Sequence, residues 1–468
     1  MGADPVMLTT ALAPAYTNVL SMIGNTPILE LQGFETGPCR LFVKLENQNP
    51  TGSIKDRMAL TMVEAAEASG QLRPGGTIIE ATAGNTGLGL ALIAAIKGYR
   101  LILVIPDKMS REKISHLRAF GAEIRLTRSD VSAGHPEFYQ DLAARIASEL
   151  PGSININQFG NPANPRAHEE GTGPEIWEQM DHQVDAIVCG VGSGGTITGL
   201  SRYFARTEPR LEMVLADPQG SALAEWVNHG RLGPTGPSVV EGIGGGAVPK
   251  VADLSRVREA FIVSDAESLT TSRELLSKAG ILAGSSTGTL LAAALRYCRK
   301  QTAAKRVVTF VCDSGSKYLS KMFNEYWMID QGFIHRPATG DLRDLITRRY
   351  EEGAVINVGP DETLLTAFQR MRMADVSQVP VLENGHVVGI LDESDVLMSV
   401  HSGDPDRFQQ PVRTSMTTKL ETLPPDASLE DVFEVLNRGY VVLVTEHDSF
   451  LGLITRTDLI NHLRQRLQ

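Results

Sequence analysis

At 468 residues the chain is longer than one hydrophobic core usually serves, and two or three domains are expected. With 42% hydrophobic and 21% charged residues, its composition is that of an ordinary soluble globular protein. The net charge of −11 argues against nucleic acid or an anionic membrane as the main partner, and no apolar run approaches the ~18 residues of a membrane span.

The opening Met1-Gly2-Ala3-Asp4-Pro5-Val6-Met7 lacks the basic-then-apolar order of a signal peptide. From about residue 20 to 335, β-branched runs alternate with longer amphipathic stretches. Strands are predicted at 41–45, 77–80, 101–105, 186–189 and 307–311, with helices such as 57–69 and 88–97 between them. That alternation predicts an α/β fold with a parallel sheet flanked by helices, whose ligands bind at the carboxyl ends of the strands. After an aromatic segment at 318–333 comes a linker at 335–340, and then the chain repeats itself. Gly389-Ile390-Leu391-Asp392-Glu393-Ser394-Asp395-Val396-Leu397 matches Gly452-Leu453-Ile454-Thr455-Arg456-Thr457-Asp458-Leu459-Ile460, and Pro360-Asp361-Glu362-Thr363-Leu364 matches Pro425-Asp426-Ala427-Ser428-Leu429. Two copies of about 60 residues indicate a tandem module. The expected domains are 1–336, 341–403 and 411–468. Cys39, Cys189, Cys298 and Cys312 are scattered, with no C-x-x-C pair. They read as packing residues in a reducing cytoplasm, and no metal site is expected.

Three segments carry chemistry. Lys55 lies in Thr51-Gly52-Ser53-Ile54-Lys55-Asp56-Arg57, where Ser53 can cap a helix starting near the lysine. Alone it would read as a surface lysine. Thr82-Ala83-Gly84-Asn85-Thr86-Gly87 places an amide on a tight turn. Gly192-Ser193-Gly194-Gly195-Thr196 can offer backbone N–H groups and two hydroxyls to a phosphate, although such a run is often a plain turn. The cluster has no P-loop lysine, which argues against ATP. An activatable amine, an amide turn and a phosphate-sized loop together point to pyridoxal phosphate. In Gly284-Ser285-Ser286-Thr287-Gly288, a serine could face the cofactor's pyridine nitrogen or merely cap a helix.

These segments together resemble the fold-type II pyridoxal-phosphate enzymes of the cysteine synthase/cystathionine β-synthase family, over nearly the whole chain from Ile23-Gly24-Asn25-Thr26-Pro27 onward. The resemblance implies that Lys55 is the Schiff-base lysine, that Asn85 bonds the cofactor's phenolic oxygen, that Gly192, Ser193, Gly194, Gly195 and Thr196 hold its phosphate, and that Ser286 meets the ring nitrogen. It implies that Thr82, Asn85, Thr86 and Gln158 hold the substrate carboxylate, with Ala83 and Phe159 among the substrate-binding positions, and that the loop from Glu241 through Gly242 to Gly244 lines the second-substrate side. The implied reaction is β-replacement, serine and homocysteine giving cystathionine and water, with hydrogen sulfide from cysteine as a side activity. Alternatives are a cysteine synthase with a regulatory tail, a serine or threonine dehydratase, and a weakly catalytic cofactor-binding regulator. Ala83 stands where the family usually has serine, and Gly245 and Gly246 where relatives often have a tyrosine or an acidic residue. No haem is expected, since no cysteine or histidine precedes Ile23. The repeat resembles paired CBS modules, which implies an adenosyl ligand at Asp395, Thr455 and Asp458. Asp392 in the place of Thr455 favours cationic S-adenosylmethionine over an adenine nucleotide, and pure scaffolding is the other reading. A homodimer or larger homo-oligomer is implied by resemblance alone.

Overall fold

The computed structural model describes residues 15–82, 84–107, 111–132, 134–401, 405–447 and 449–466. The chain forms two compact units, Met1–Leu319 and Ser320–Gln468. Their division precedes the expected boundary at 336, because the helix Glu325–Asp330 belongs with the second unit, where Asp330 accepts a hydrogen bond from Thr347 Oγ1 (3.0 Å).

Ten strands build the first unit: β1 (Ile28–Glu30), β2 (Arg40–Lys44), β3 (Thr77–Glu80), β4 (Arg100–Pro106), β5 (Glu123–Thr127), β6 (Ser153–Asn155), β7 (Ala186–Cys189), β8 (Glu212–Pro218), β9 (Val257–Val263) and β10 (Arg306–Phe310). They make two sheets, ordered β1-β2-β10-β7-β8-β9 and β5-β4-β3-β6. Every pairing is parallel except that of β1 with β2. The strand sequences explain the layering: β3 and β7 are buried at every position, as strands covered on both faces must be. Val188, Val214, Val308 and Phe310 share one core with the helix Ser285–Arg299, while Ile78, Leu90 and Leu103 anchor a second.

Two helices start earlier than their apolar periodicity predicts. Asn85–Lys97 takes in Asn85 and Thr86, and Lys55–Ala68 begins at the lysine itself. First-turn N–H groups have no partner within a helix, so polar and glycine residues that face a ligand sit there without disturbing the apolar face behind them.

A buried ionic cluster fixes the start of Lys55–Ala68. Glu46, fully buried, accepts Arg57 Nε (2.7 Å) and Nη2 (2.9 Å) and the Thr26 hydroxyl (2.7 Å). Arg57 also forks onto Glu175, which pairs with buried Lys44 (2.7 Å). Charges this deep persist because each has several partners. The clamp ties the helix to the end of β2, two residues from Lys55.

The second unit shows the repeat directly. The hairpins Gln378–Glu383/His386–Asp392 and Val442–Glu446/Ser449–Ile454 carry register shifts at matching places, Val381/Leu382 and Val444/Thr445. Each is preceded by a capped helix, Leu364–Ala374 behind Thr363 and Leu429–Asn437 behind Ser428. Among the described residues no helix is long and apolar enough to cross a membrane.

Candidate active site

The carboxyl ends of β7 and β10 and the start of Lys55–Ala68 enclose one small cavity. Lys55, Gly192, Ser193, Gly194, Thr196 and Cys312 line it, with Ile243, Leu290 and Phe310 supplying apolar wall. The Lys55 N–H reaches Ser53 Oγ at 3.3 Å, so the serine does support the helix start, although Ile54 holds the formal cap position. Burial lowers the Lys55 pKa, against the opposing pull of Cys312 and Asp313. An amine nearer neutrality is the form that attacks a carbonyl.

At the other end, Gly195 opens the helix Gly195–Thr207, and Gly194 precedes it at φ +89°. The loop is glycine for steric reasons. A Cβ at Gly192 would run into the Gly242 carbonyl oxygen, and one at Gly195 into Asn164 Oδ1. With side chains excluded, backbone N–H groups at a helix N-terminus are what an approaching anion meets. Ser193 Oγ accepts from Asn164 Nδ2 (2.9 Å) and donates only a weak bond to Met58 Sδ (4.0 Å), which an anion can displace. Thr196 Oγ1 lies 3.3 Å from His168 Nε2, while His168 Nδ1 meets Thr172 Oγ1 at 2.9 Å. Burial, helped by Arg57, pushes His168 down to about 3, so the ring is neutral. The tautomer protonated on Nε2 donates to Thr196 and frees the threonine proton for an anion. A desolvated amine and a glycine-lined anion cradle on the wall of one cavity are the donor set that pyridoxal phosphate requires.

Ser286 sits in the first turn of Ser285–Arg299, buried, and hydrogen-bonds Cys312. Cys312, expected only to pack, instead lines the cavity beside the lysine, with its thiol pushed up to about 12 by burial. Asn85 Nδ2 donates to Asp313 (2.8 Å), and Lys317 Nζ donates to Asn85 Oδ1 (2.6 Å). Asp313 also accepts the Tyr318 hydroxyl (2.7 Å). Sequence reading did not assign Asp313, Lys317 or Tyr318 to the site. Their position directly after a buried strand that ends beside Lys55 was the available signal.

Thr82 Oγ1 accepts from Gly84 N (3.2 Å), which shapes the amide turn. Ala83 lies outside the described residues. Thr86 Oγ1 donates to Gln158 Oε1 (2.8 Å), and the Gln158 carbonyl takes Asn164 Nδ2 (2.8 Å), so the amide turn and the glycine loop are joined by one hydrogen-bonded line. Phe159 is half-buried and bonds through its carbonyl to Val251 N (3.3 Å). Gly242, at φ +90°, packs against Gly192, and Glu241 pairs with Lys113.

Glu80, at the end of β3, is 2% exposed. Burial pushes it up to about 7, against hydrogen bonds from Gln158, Ala81 and Asn157. A carboxyl raised in the folded state stabilises fully below its ordinary pKa of 4.5, and that stability is lost as pH rises through about 7. Glu80→Gln is therefore expected to flatten the fall in melting temperature between pH 4.5 and 7 and to stabilise the protein above it by about 1–3 kcal/mol. Parallel profiles for variant and wild type in thermal unfolding would refute this.

In the second unit a cavity of about 650 Å³ is lined by Thr455, Asp458, Thr347, Asp330 and Tyr326 among others. Asp458 Oδ2 accepts Thr455 N (2.8 Å) and Oγ1 (2.5 Å), and its Oδ1 accepts Thr347 Oγ1 (2.7 Å). Asp395 occupies the corresponding place in the first copy, closing a capping box with Asp392, and lies outside that cavity.

The family model for pyridoxal-phosphate dependent enzymes matches residues 19–313, and that for the CBS domain matches 342–402 and 412–465. The cystathionine beta-synthase of Dictyostelium discoideum is 34% identical over 467 residues, covering 96% of this chain and 93% of that protein. Cysteine synthase 1 of Neurospora crassa is 40% identical over 319 residues, covering 67% of this chain and 84% of its own. Among solved structures, a hydrogen sulfide-producing enzyme from Fusobacterium nucleatum aligns with a TM-score of 0.60 at 35% identity, over 65% of this chain and 100% of that one. The cysteine synthase match covers a much smaller share of this chain than the cystathionine beta-synthase match. This chain belongs to the pyridoxal-phosphate dependent enzyme family, as a member carrying two C-terminal CBS domains.

Proposed function

We propose that the protein joins L-serine to L-homocysteine, giving L-cystathionine and water, and releases hydrogen sulfide when cysteine takes the place of serine. The observation that carries this is the pairing of one desolvated lysine with a glycine-walled anion cradle, in a chain that matches a cystathionine beta-synthase along 96% of its length. Pyridoxal phosphate, when bound, supplies the electron sink that makes the serine α-proton acidic and the β-hydroxyl a leaving group. Gly192, Ser193, Gly194, Gly195 and Thr196 would hold its phosphate, Asn85 its phenolic oxygen and Ser286 its ring nitrogen. Thr82, Asn85, Thr86 and Gln158 take the serine carboxylate, with Phe159 beside them, and Ala83 and Gly242 complete the substrate-binding set. Lys55 removes the proton from the serine α-carbon and later returns one. The serine Cβ–O bond breaks, a proton joins the departing oxygen to form water, and the homocysteine sulfur bonds to Cβ as its own proton is lost. Ile243, Leu290 and Phe310 keep water from competing with the thiol.

The domains are assigned as 1–336 catalytic, 341–403 first CBS and 411–468 second CBS, with residues 320–336 grouping with the second compact unit. The reading extends to a haem-free, cytoplasmic homodimer whose CBS pair binds S-adenosylmethionine or an adenine nucleotide at Thr455 and Asp458. Calorimetric titration with each ligand tests this last assignment, and two flat traces leave the pair a scaffold.

The decisive test of activity offers the purified protein two substrate pairs, serine with homocysteine and O-acetylserine with sulfide. Cystathionine formed from the first pair is expected. Cysteine from the second with no cystathionine from the first makes the protein a cysteine synthase with a regulatory tail.

A further inference from the structure

The condensation proposed above brings two amino acids into one site, and each carries a carboxylate. The first is accounted for by the amide turn and Gln158. A partner for the second has to come from elsewhere, and it has to be one that a bare sulfide ion would not need.

Lys317 is a cation without an assigned role. It lies in the short turn Gly315–Tyr318 that follows β10. Its ammonium donates to Asn85 Oδ1 (2.6 Å) and to the Gly52 carbonyl (3.3 Å), both uncharged acceptors. An ammonium has three protons, so one remains unspent. Among the described residues no carboxylate lies within 4.0 Å of Lys317. The nearest acid of the cluster, Asp313, already gives Oδ2 to Asn85 and Tyr318.

The surroundings fit an anion that arrives with the substrate. Asp313 and Asp56 draw on Lys317 as opposite charges, while Lys113 and Lys55 act on it as like charges. Lys113 is held by Glu241, which heads the loop assigned to the second-substrate side. That loop is itself fastened, since Glu241 N donates to Ser285 Oγ (3.0 Å) and Gly244 N to the Val191 carbonyl (2.8 Å). Bonded to Asn85 Oδ1, the Lys317 ammonium lies beside the amide turn that takes the first carboxylate, with one donor left for a second.

We propose that Lys317 is the specificity-determining residue for the second substrate, taking the carboxylate of a thiol amino acid and so favouring homocysteine over thiols that lack one. This rests on the β-replacement reading above. Lys317 touches Asn85, so a substitution there will also disturb the first half of the site. The informative quantity is therefore a ratio of acceptors rather than a rate.

The experiment measures kcat/KM at saturating serine for L-homocysteine and for 2-mercaptoethanol, in the wild type, Lys317→Met and Lys317→Arg. In Lys317→Met the preference for homocysteine is expected to fall by about tenfold or more, the usual weight of a charge-assisted bond, and Lys317→Arg is expected to restore part of it. A loss shared equally by both acceptors would mean that Lys317 only orients Asn85, and would overturn the proposal. So would an unchanged preference. A wild type that forms no cystathionine at all overturns the underlying reading together with this one, and is recognised before any variant is compared.

Discussion

Replacing Lys55 with alanine leaves a folded protein that neither turns over serine nor shows the visible absorbance of bound cofactor. The rate should fall by at least about 10²–10⁴-fold, the range for losing a single proton-transfer group, since the amine also anchors the cofactor. Folding should survive. Lys55 stands at the first position of its helix, where alanine is a good helix former, and the ionic clamp of Arg57, Glu46 and Glu175 does not include it. Among the described residues its amine has no hydrogen-bond partner, and burial lowers its pKa. Removing a desolvated, unpaired amine relieves a cost, so the variant apoprotein should melt at or above the wild-type apoprotein. Absorbance and product assays test the first claim, and paired melts of the apoproteins test the second. Normal turnover would remove Lys55 from the chemistry altogether.

Gly192→Ala should be nearly as damaging, for a steric reason. The added Cβ points at the Gly242 carbonyl oxygen, which is backbone and cannot swing aside. Gly242 is itself fixed at φ +90°, and the next turn is pinned where Gly244 N donates to Val191. One of the two loops must move. If the glycine loop gives way, the phosphate cradle opens and cofactor affinity should drop by about 100-fold, the worth of two charge-assisted hydrogen bonds. If neither yields, the strain appears as about 1–3 kcal/mol of lost stability. Gly245→Ala is the control. A Cβ there meets only the Ala247 carbonyl, at 3.7 Å, so the change should stay within about 0.5 kcal/mol. Cofactor titration and urea unfolding on the three proteins separate these outcomes, and equal behaviour of the two variants would contradict the steric account.

Much of this was legible in the sequence, and the exceptions have physical causes. The strands stood out because fully buried parallel strands are written in uninterrupted β-branched residues, as Ile78-Ile79 and Val307-Val308 show. The division into two sheets did not, because nothing in a strand's own composition says which neighbour it will pair with. The helix start at Asn85 was missed by three residues, since the first turn is where ligand-facing residues interrupt the apolar pattern, whereas Ser53 had marked the start near Lys55. The glycine loop was legible as a motif. That Gly192 is required by the Gly242 carbonyl, fifty residues away, could come only from the structure. Asp313, Lys317 and Tyr318 escaped for a similar reason. An acid, a base and a tyrosine in a short turn have no spacing that distinguishes a site from a solvated loop. Their meaning comes from Asn85, which the fold brings to them from 228 residues before Asp313.

The hydrogen-bonded line from Thr86 through Gln158 and Asn164 to Ser193 has a thermodynamic corollary. A carboxylate that settles on Thr86 and Gln158 alters the same amides that position Ser193. Reciprocity then requires that whatever factor an amino acid adds to cofactor affinity, the cofactor adds to amino-acid affinity. Retention of the cofactor during dialysis thus becomes a census of which amino acids occupy the site, including those that bind and never react.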